Sequence, residues 1–160
     1  MNRRLLVLTP LLALLAACAS TPTQQPVSVA ETIAHDPQLS TLNTLVQKAG
    51  LADTLKAAGP YTVFAPTNEA FQAVPAKTMD ELGKDPAKLK NVLAYHVLPT
   101  RLAAAEVKNG NVKTTQGANL ALARAGEFVT VEEAMVQTAD IAASNGVVHK
   151  VDRVLMPPRH

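Results

Sequence analysis

Residues 61–71 read YTVFAPTNEAF. A run of β-forming residues, Tyr61 to Ala65, stops at Pro66, and Thr67, Asn68 and Glu69 follow before the pattern turns apolar again. Two readings compete. A hydroxyl, an amide and a carboxylate at the mouth of a strand can form a catalytic cluster, which needs a nucleophile beside a base. The same residues suit the first turn of a helix, where Thr and Asn are favoured N-caps and an acid is favoured near the positive end of the helix dipole. Capping needs only the local chain, and a lost cap costs about 1 kcal/mol, enough to account for Thr67 and Asn68. No histidine lies nearby in sequence. The stretch therefore reads as strand, proline stop and capped helix.

Upstream, Asp36-Pro37 predicts a helix start, with Leu39, Leu42, Leu45, Val46 and Ala49 on one face and Gly50 as the stop. Leu51 to Ala58 predicts a second short helix, closed by Gly59-Pro60. Downstream, Thr78 and Glu81 fit a capping box for a short turn ending at Gly83. Asp85-Pro86 opens a helix that carries Leu89, Val92, Leu93, His96 and Val97 on one face and stops at Pro99. Leu102 to Val107 predicts another short turn. From Asn111 the texture changes to short alternating runs: 112–115, 119–124, 128–131 and 135–138. The Asn145-Gly146 turn, at residues that tolerate positive φ, precedes Val147 to Met156, the strongest strand in the chain. Helices in the N-terminal half and strands in the C-terminal half predict an α+β domain with a mostly antiparallel sheet.

The first residues stand apart. Arg3 and Arg4 precede an apolar run, Leu5 to Leu15, and then Leu15-Ala16-Ala17-Cys18. A basic start, a short apolar core and small residues before a cut make a secretory signal. The run is too short to span a bilayer, which takes about 20 residues. LAAC is similar to the bacterial lipobox, so residues 1–17 are expected to be a lipoprotein signal peptide and Cys18 the lipidated residue. Ala19 in place of Asp after the cysteine favours the outer membrane. Residues 18–35, rich in Thr, Gln, Ser and Pro, are expected to be a flexible tether, and 36–158 the folded domain. Cys18 is the sole cysteine, so the domain holds together through its core, without disulfides.

Composition narrows the partners. Loss of Arg3 and Arg4 leaves 13 basic residues against 13 acidic ones, so the processed chain is formally neutral and points to no nucleic acid. With no tryptophan, two tyrosines and three phenylalanines, stacking platforms for bases or sugars are scarce. No P-loop, GxSxG, HExxH or dinucleotide fingerprint occurs. His96 shares an apolar helix face and reads first as a core histidine bonded to backbone, second as a metal ligand or general base. His149 alternates with Val147 and Val151 on a strand face. A meeting of His96 and His149 in space is the one route to a metal site, and neither has a second ligand at metal-motif spacing. Tyr95 reads as a partly buried ring with a satisfied hydroxyl. Asp140 either braces the Asn145-Gly146 turn or faces a partner.

Three stretches line up: TVFAPTNEAF (62–71), Tyr95-His96 within LAYHVLP, and ADIAASNGVVHKVDRVLMP (139–157). Their order and spacing resemble a fasciclin (FAS1) domain over essentially all of 36–158. The resemblance implies a β-sandwich or wedge with several helices packed on it. It implies Thr67, Asn68, Asn145, Gly146 and His149 as structural motif residues, and non-enzymatic adhesion and surface binding to protein or polysaccharide. In animal members an Asp-Ile pair before the last motif is linked to integrin binding. Asp140-Ile141 holds that place here, without the flanking Glu-Pro and Met, so the position carries over and the ligand does not. Tyr95 and His96 are further candidate partner-binding residues. Glu132-Glu133 stands where many members have Asn-Gly, which leaves that hairpin open.

These readings converge on a lipid-anchored extracytoplasmic binding module with no cofactor and no metal, directed at a protein or glycan of the cell envelope. The alternative is a periplasmic small-molecule or lipid-binding protein with a groove between helices and sheet. A hydrolase is a third class without motif support.

Overall fold

In the computed structural model, which describes residues 27–158, Tyr61–Pro66 forms a strand (β1) that is buried almost along its whole length. The residues expected to be signal peptide, Cys18 and the first part of the tether lie outside the described residues. The α+β order holds. Six helices are α1 (Val29–His35), α2 (Ser40–Lys48), α3 (Ala52–Lys56), α4 (Asn68–Gln72), α5 (Ala76–Lys84) and α6 (Pro86–Tyr95). The other strands are β2 (Val97–Leu98), β3 (Gly110–Lys113), β4 (Asn119–Ala125), β5 (Phe128–Val131), β6 (Ala134–Ala143) and β7 (Gly146–Val151).

One seven-stranded sheet runs in the order β2-β1-β7-β6-β5-β4-β3. It is antiparallel except where β1 lies parallel to β7, Tyr61 opposite Gly146 through Pro66 opposite Val151. A parallel pair needs a crossover, and here α4 to α6 and strands β2 to β6 supply it. β6 belongs to two leaves. Its start pairs with β5 at Met135 and Ala134, and the rest pairs with β7, with register shifts on both sides of Thr138. The shifts bend the sheet, as bulges do. The free edges approach where the Thr115 N–H donates to the Val97 carbonyl (2.9 Å).

Alternation along β1 and β7 separates two cores. Val63, Ala65 and Val148 face the helices, among Ile33, Leu42, Leu55, Leu89 and Leu93. Phe64 and Val151 face into the bend of the sheet, against Leu120, Leu122, Val129 and Val131. The period of two along each strand places consecutive residues in opposite cores.

Six expectations need correction, one of them at the end of α6: the helix expected to carry Val97 and stop at Pro99 ends at Tyr95, and Val97–Leu98 is β2, paired with β1. The fold begins before Asp36. Val29–His35 is a helix with Val29 and Ile33 buried at i, i+4. A Ser28–Glu31 capping box starts it: the Glu31 N–H donates to Ser28 Oγ (3.3 Å) and the Ser28 N–H to Glu31 Oε2 (2.9 Å). Those bonds from Ser28 hold the Glu31 carboxyl below the usual range. Asp36-Pro37 opens a 3-10 turn, Pro37–Leu39, and α2 starts only at Ser40. Thr78 and Glu81 make no capping box, because α5 already starts after the extended Pro75 and carries both residues inside it. The last strand ends at Val151, since Asp152 turns back, its N–H donating to the Met135 carbonyl (3.1 Å). Asn145-Gly146 uses no positive φ. Gly146 is needed for space instead: a Cβ there would stand 2.0 Å from the Tyr61 carbonyl oxygen.

The burial of α1 predicts that Ile33→Ala lowers the unfolding free energy by about 2–4 kcal/mol, as for other large-to-small core changes. Urea denaturation measures it, and an unchanged midpoint would return residues 29–35 to the tether.

Candidate functional site

The opening motif divides its labour. Thr67 caps α4, its hydroxyl accepting from the Ala70 N–H (3.4 Å). Asn68 caps a different helix. α2 has no side-chain cap of its own, and Asn68 Oδ1 accepts from the Thr41 N–H (3.0 Å) in its first turn. The Asn68 amide also donates to the Pro37 carbonyl (3.0 Å), which joins α4 to the turn before α2. Glu69 sits in the first turn of α4, where an acid suits the dipole. Among the described residues no histidine is hydrogen-bonded to this set, and both Thr67 and Asn68 are committed to backbone.

His96 and His149 are each 1% exposed. His96 ends α6. Its Nε2 accepts from the Leu155 N–H (3.0 Å), so Nδ1 carries the proton and donates to the Val92 carbonyl (2.8 Å). His149 holds the opposite tautomer: Nδ1 accepts from the Asp140 N–H (3.1 Å) and Nε2–H donates to the Leu102 carbonyl (2.7 Å). Its ring stacks on Phe64, centroids 5.6 Å apart. Both nitrogens of each ring are engaged, so neither ring has a lone pair for a metal. Among the described residues, no three His, Cys, Asp or Glu side chains converge as ligands. Burial pushes the His96 imidazole down to about 4, against the pull of its bond to the Val92 carbonyl. Burial lowers His149 too, opposed by the Leu102 bond and the Asp140 charge.

Asp140 interrupts β6 with φ of 57°, a left-handed conformation that Asp tolerates better than most residues. Its N–H holds His149, and its Oδ1 accepts from the Ala104 N–H (2.8 Å). It therefore braces the Ala104–Glu106 turn and leaves the Asn145-Gly146 turn to other groups. The residue remains exposed, while Ile141 beside it is half-buried against the helical core.

Tyr95 is buried more deeply than its sequence suggested, at 2% exposure. Its hydroxyl lies 3.1 Å from the Asn119 carbonyl and 3.2 Å from Glu132 Oε1. Burial, the Glu132 charge and the bond to Glu132 raise its pKa to about 12. The same Glu132 oxygen accepts from the Ala121 N–H (2.8 Å). Glu132 thus settles the β5–β6 hairpin, at φ of 53°, by tying it to β4 and α6. Tyr95 and His96 are both interior.

Asn145 completes the set. Its Oδ1 accepts from the Val29 N–H (2.8 Å), and its amide donates to the Leu55 and Ala57 carbonyls, each at 2.7 Å. Among the described residues no buried side-chain nitrogen or oxygen lacks a partner.

Two surface features remain, and the first escaped the sequence reading. Phe128 is 66% and Met135 45% exposed. Met135 stands opposite Thr130, and Phe128 is two residues from Thr130 on the same sheet face. The signal was present in Phe128 to Val131: if Val129 and Val131 point inward, Phe128 points out. The other is an apolar groove of about 800 Å³ between α4, α5, α6 and the chain after Asp152.

Helices packed on one leaf of a bent sheet, around histidines and an asparagine whose polar atoms are consumed by backbone, define an α+β scaffold with its chemistry turned inward. The chain belongs to the fasciclin-domain family: the family profile, Fasciclin domain, matches residues 37–157. It is 41% identical over 147 residues to Protein sll1483 of Synechocystis sp., covering 89% of this chain and 81% of that one. It is 37% identical to the cell surface glycolipoprotein MPB83 of Mycobacterium bovis, covering 84% of this chain and 62% of that one. Among solved structures, a FAS1 domain pair from the insect cell adhesion molecule fasciclin I matches in fold, with a TM-score of 0.66 at 15% identity. That match covers 82% of this chain and 51% of the other. The family match starts after α1, which nonetheless completes the core.

The state of His96 predicts acid lability. The unfolded imidazole titrates near 6.5 and the folded one at about 4, so between these values the unfolded chain binds more protons. Stability is therefore complete above the unfolded value and falls as pH drops toward the folded one, by on the order of 3 kcal/mol from this residue. Urea midpoints at pH 7 and pH 4.5 should show the loss. His96→Gln should be weaker at pH 7 yet flatter with pH; an equal slope in both chains would refute the assignment.

Proposed function

We propose that the chain is a lipid-anchored extracytoplasmic protein that works by binding a protein or glycan of the cell envelope, without catalysis. The observation that carries this reading is the complete engagement of the interior polar groups within a whole fasciclin domain. A scaffold of this kind acts through its outside. Two relatives carry the words "cell surface" and "cell adhesion" in their names, and the glycolipoprotein among them accords with an acyl anchor. The lipobox-like LAAC supports lipidation at Cys18, with Ala19 favouring the outer membrane. Anchored copies would bind with avidity, because tethering raises effective concentration.

For the contact surface, Tyr95 and His96 are too deeply buried to serve. Asp140 is exposed, and Phe128 and Met135 supply the apolar and aromatic character that binding centres favour. Ile141 contributes by fixing the bulge that presents Asp140.

Fractionation tests the anchor: Cys18→Ala should leave the protein out of the membrane fraction, and full retention would defeat this part of the reading. Asp140→Asn tests the surface, because Asn keeps an acceptor for the Ala104 N–H and tolerates positive φ while removing the charge. Asp140→Asn and Phe128→Ser should each lower retention on envelope fractions or glycan arrays severalfold, consistent with loss of about 1 kcal/mol or more at a contact. Thermal melting should stay near the parent value. Undiminished retention in both variants would remove this surface from consideration.

A further inference from the structure

A second surface feature leads beyond adhesion and does not depend on it. The groove between α4, α5, α6 and the C-terminal segment has a volume of about 800 Å³, within the range of small-molecule sites. Its floor is aliphatic: Ala70, Leu82 and Val92 reach it from three helices. Val74, Val154 and Met156 form walls, and Met156 stays 42% exposed, a large apolar side chain facing unfilled space. Among the described residues no aromatic ring lines it, so they offer no stacking surface for a base or a sugar. Flexible aliphatic chains are what such walls accommodate.

The rim adds a sign. Among the described residues, four charged ones border the groove: Lys88, Glu81, Asp152 and Arg153. Lys88 and Glu81 pair with each other (2.9 Å). Asp152 is turned away, its Oδ1 accepting from the Met135 N–H (2.7 Å). Arg153 has only a loose approach to Glu133 (3.9 Å), and both side chains are largely exposed. Its guanidinium is thus the rim charge least committed to the protein, and it suits a carboxylate, which it can bind through two parallel N–H groups. Val27, the first described residue, accepts from the Ser144 N–H (2.8 Å), at the end of β7 opposite Asp152.

We infer that this groove binds a medium-chain fatty acid, its acyl chain along the Ala70–Leu82–Val92 floor and its carboxylate at Arg153. Asp140 does not line the site, and its rim meets the Phe128–Met135 face only at Asp152, which is bonded to the Met135 backbone.

Calorimetric titration with dodecanoate, below its micellar concentration, tests the site. The chain from Ala19 onward is suitable, since it retains every described element. Saturable one-to-one binding is expected. Ala73→Trp, at an exposed position on the groove wall, should abolish it while circular dichroism stays unchanged. Arg153→Glu should weaken it about fivefold or more, the scale of an exposed ion pair removed and reversed. Dodecyltrimethylammonium should bind the parent chain more weakly than dodecanoate. Absence of saturable heat, or binding untouched by Ala73→Trp, overturns the site. Equal affinity for the cationic amphiphile, or no effect of Arg153→Glu, overturns the role of the carboxylate. If Ala73→Trp fails to fold, Val74→Trp at the half-buried wall position replaces it under the same criteria.

Discussion

The Asn145 side chain makes three hydrogen bonds to backbone from distant parts of the chain: the start of α1, the Leu55 carbonyl inside α3, and Ala57 just beyond that helix. Its own carbonyl accepts from the Tyr61 N–H (3.0 Å), the first group of β1. A Cβ at Gly59 would stand 2.1 Å from that same carbonyl oxygen, and one at Gly146 would strike Tyr61. Asn145 and two glycines therefore let four segments converge at one end of the sheet. The parallel register of β1 on β7 starts at this point, with Tyr61 opposite Gly146. From it follow the direction of Val63 and Ala65 toward the helices and of Phe64 toward the other core. A parallel pair has no tight turn to set its register, so some side chain must set it.

The two histidines extend the same logic along the sheet. His149 holds the Asp140 bulge to the Leu102–Ala104 segment, and His96 holds the end of α6 to the C-terminal segment at Leu155. Imidazole suits both tasks because its neutral form is donor and acceptor at once, on opposite sides of a flat ring. A Gln could match the chemistry, but not the stacking of His149 on Phe64. Residues that look like catalytic material in a list of side chains become fasteners when both faces of their chemistry are occupied by backbone.

What could be read from the sequence was what the local chain decides. Strand 61–65, the Thr67 cap and the Asp85 start all hold, the last with Asp85 Oδ1 accepting from both the Ala87 and Lys88 N–H groups. The order of helices and strands, and the wedge implied by the three family stretches, hold as well. Partners far along the chain were not legible. Asn145 bonds residues 88 to 116 positions away, and the Leu155 N–H lies 59 positions from His96. Asn68, whose place in the sequence suits a cap of its own helix, caps α2, 27 positions back. The α1 helix is a different case. Its Ser28–Glu31 box and its Val29–Ile33 spacing are local, but they follow a Thr- and Gln-rich run that sets the opposite impression.

The position of α1 also sets a length. With acyl chains on Cys18, as proposed, the leash ends at Val27, which is already bonded to Ser144. That is nine residue steps instead of the eighteen to Asp36, hence a maximum reach of about 30 Å instead of about 60 Å at full extension. Halving a leash shrinks the volume it can sweep roughly eightfold, since volume goes as the cube of reach. Such a domain would stand within about its own diameter of the bilayer. It would survey a thin layer at the membrane surface and would meet only partners that come to it there.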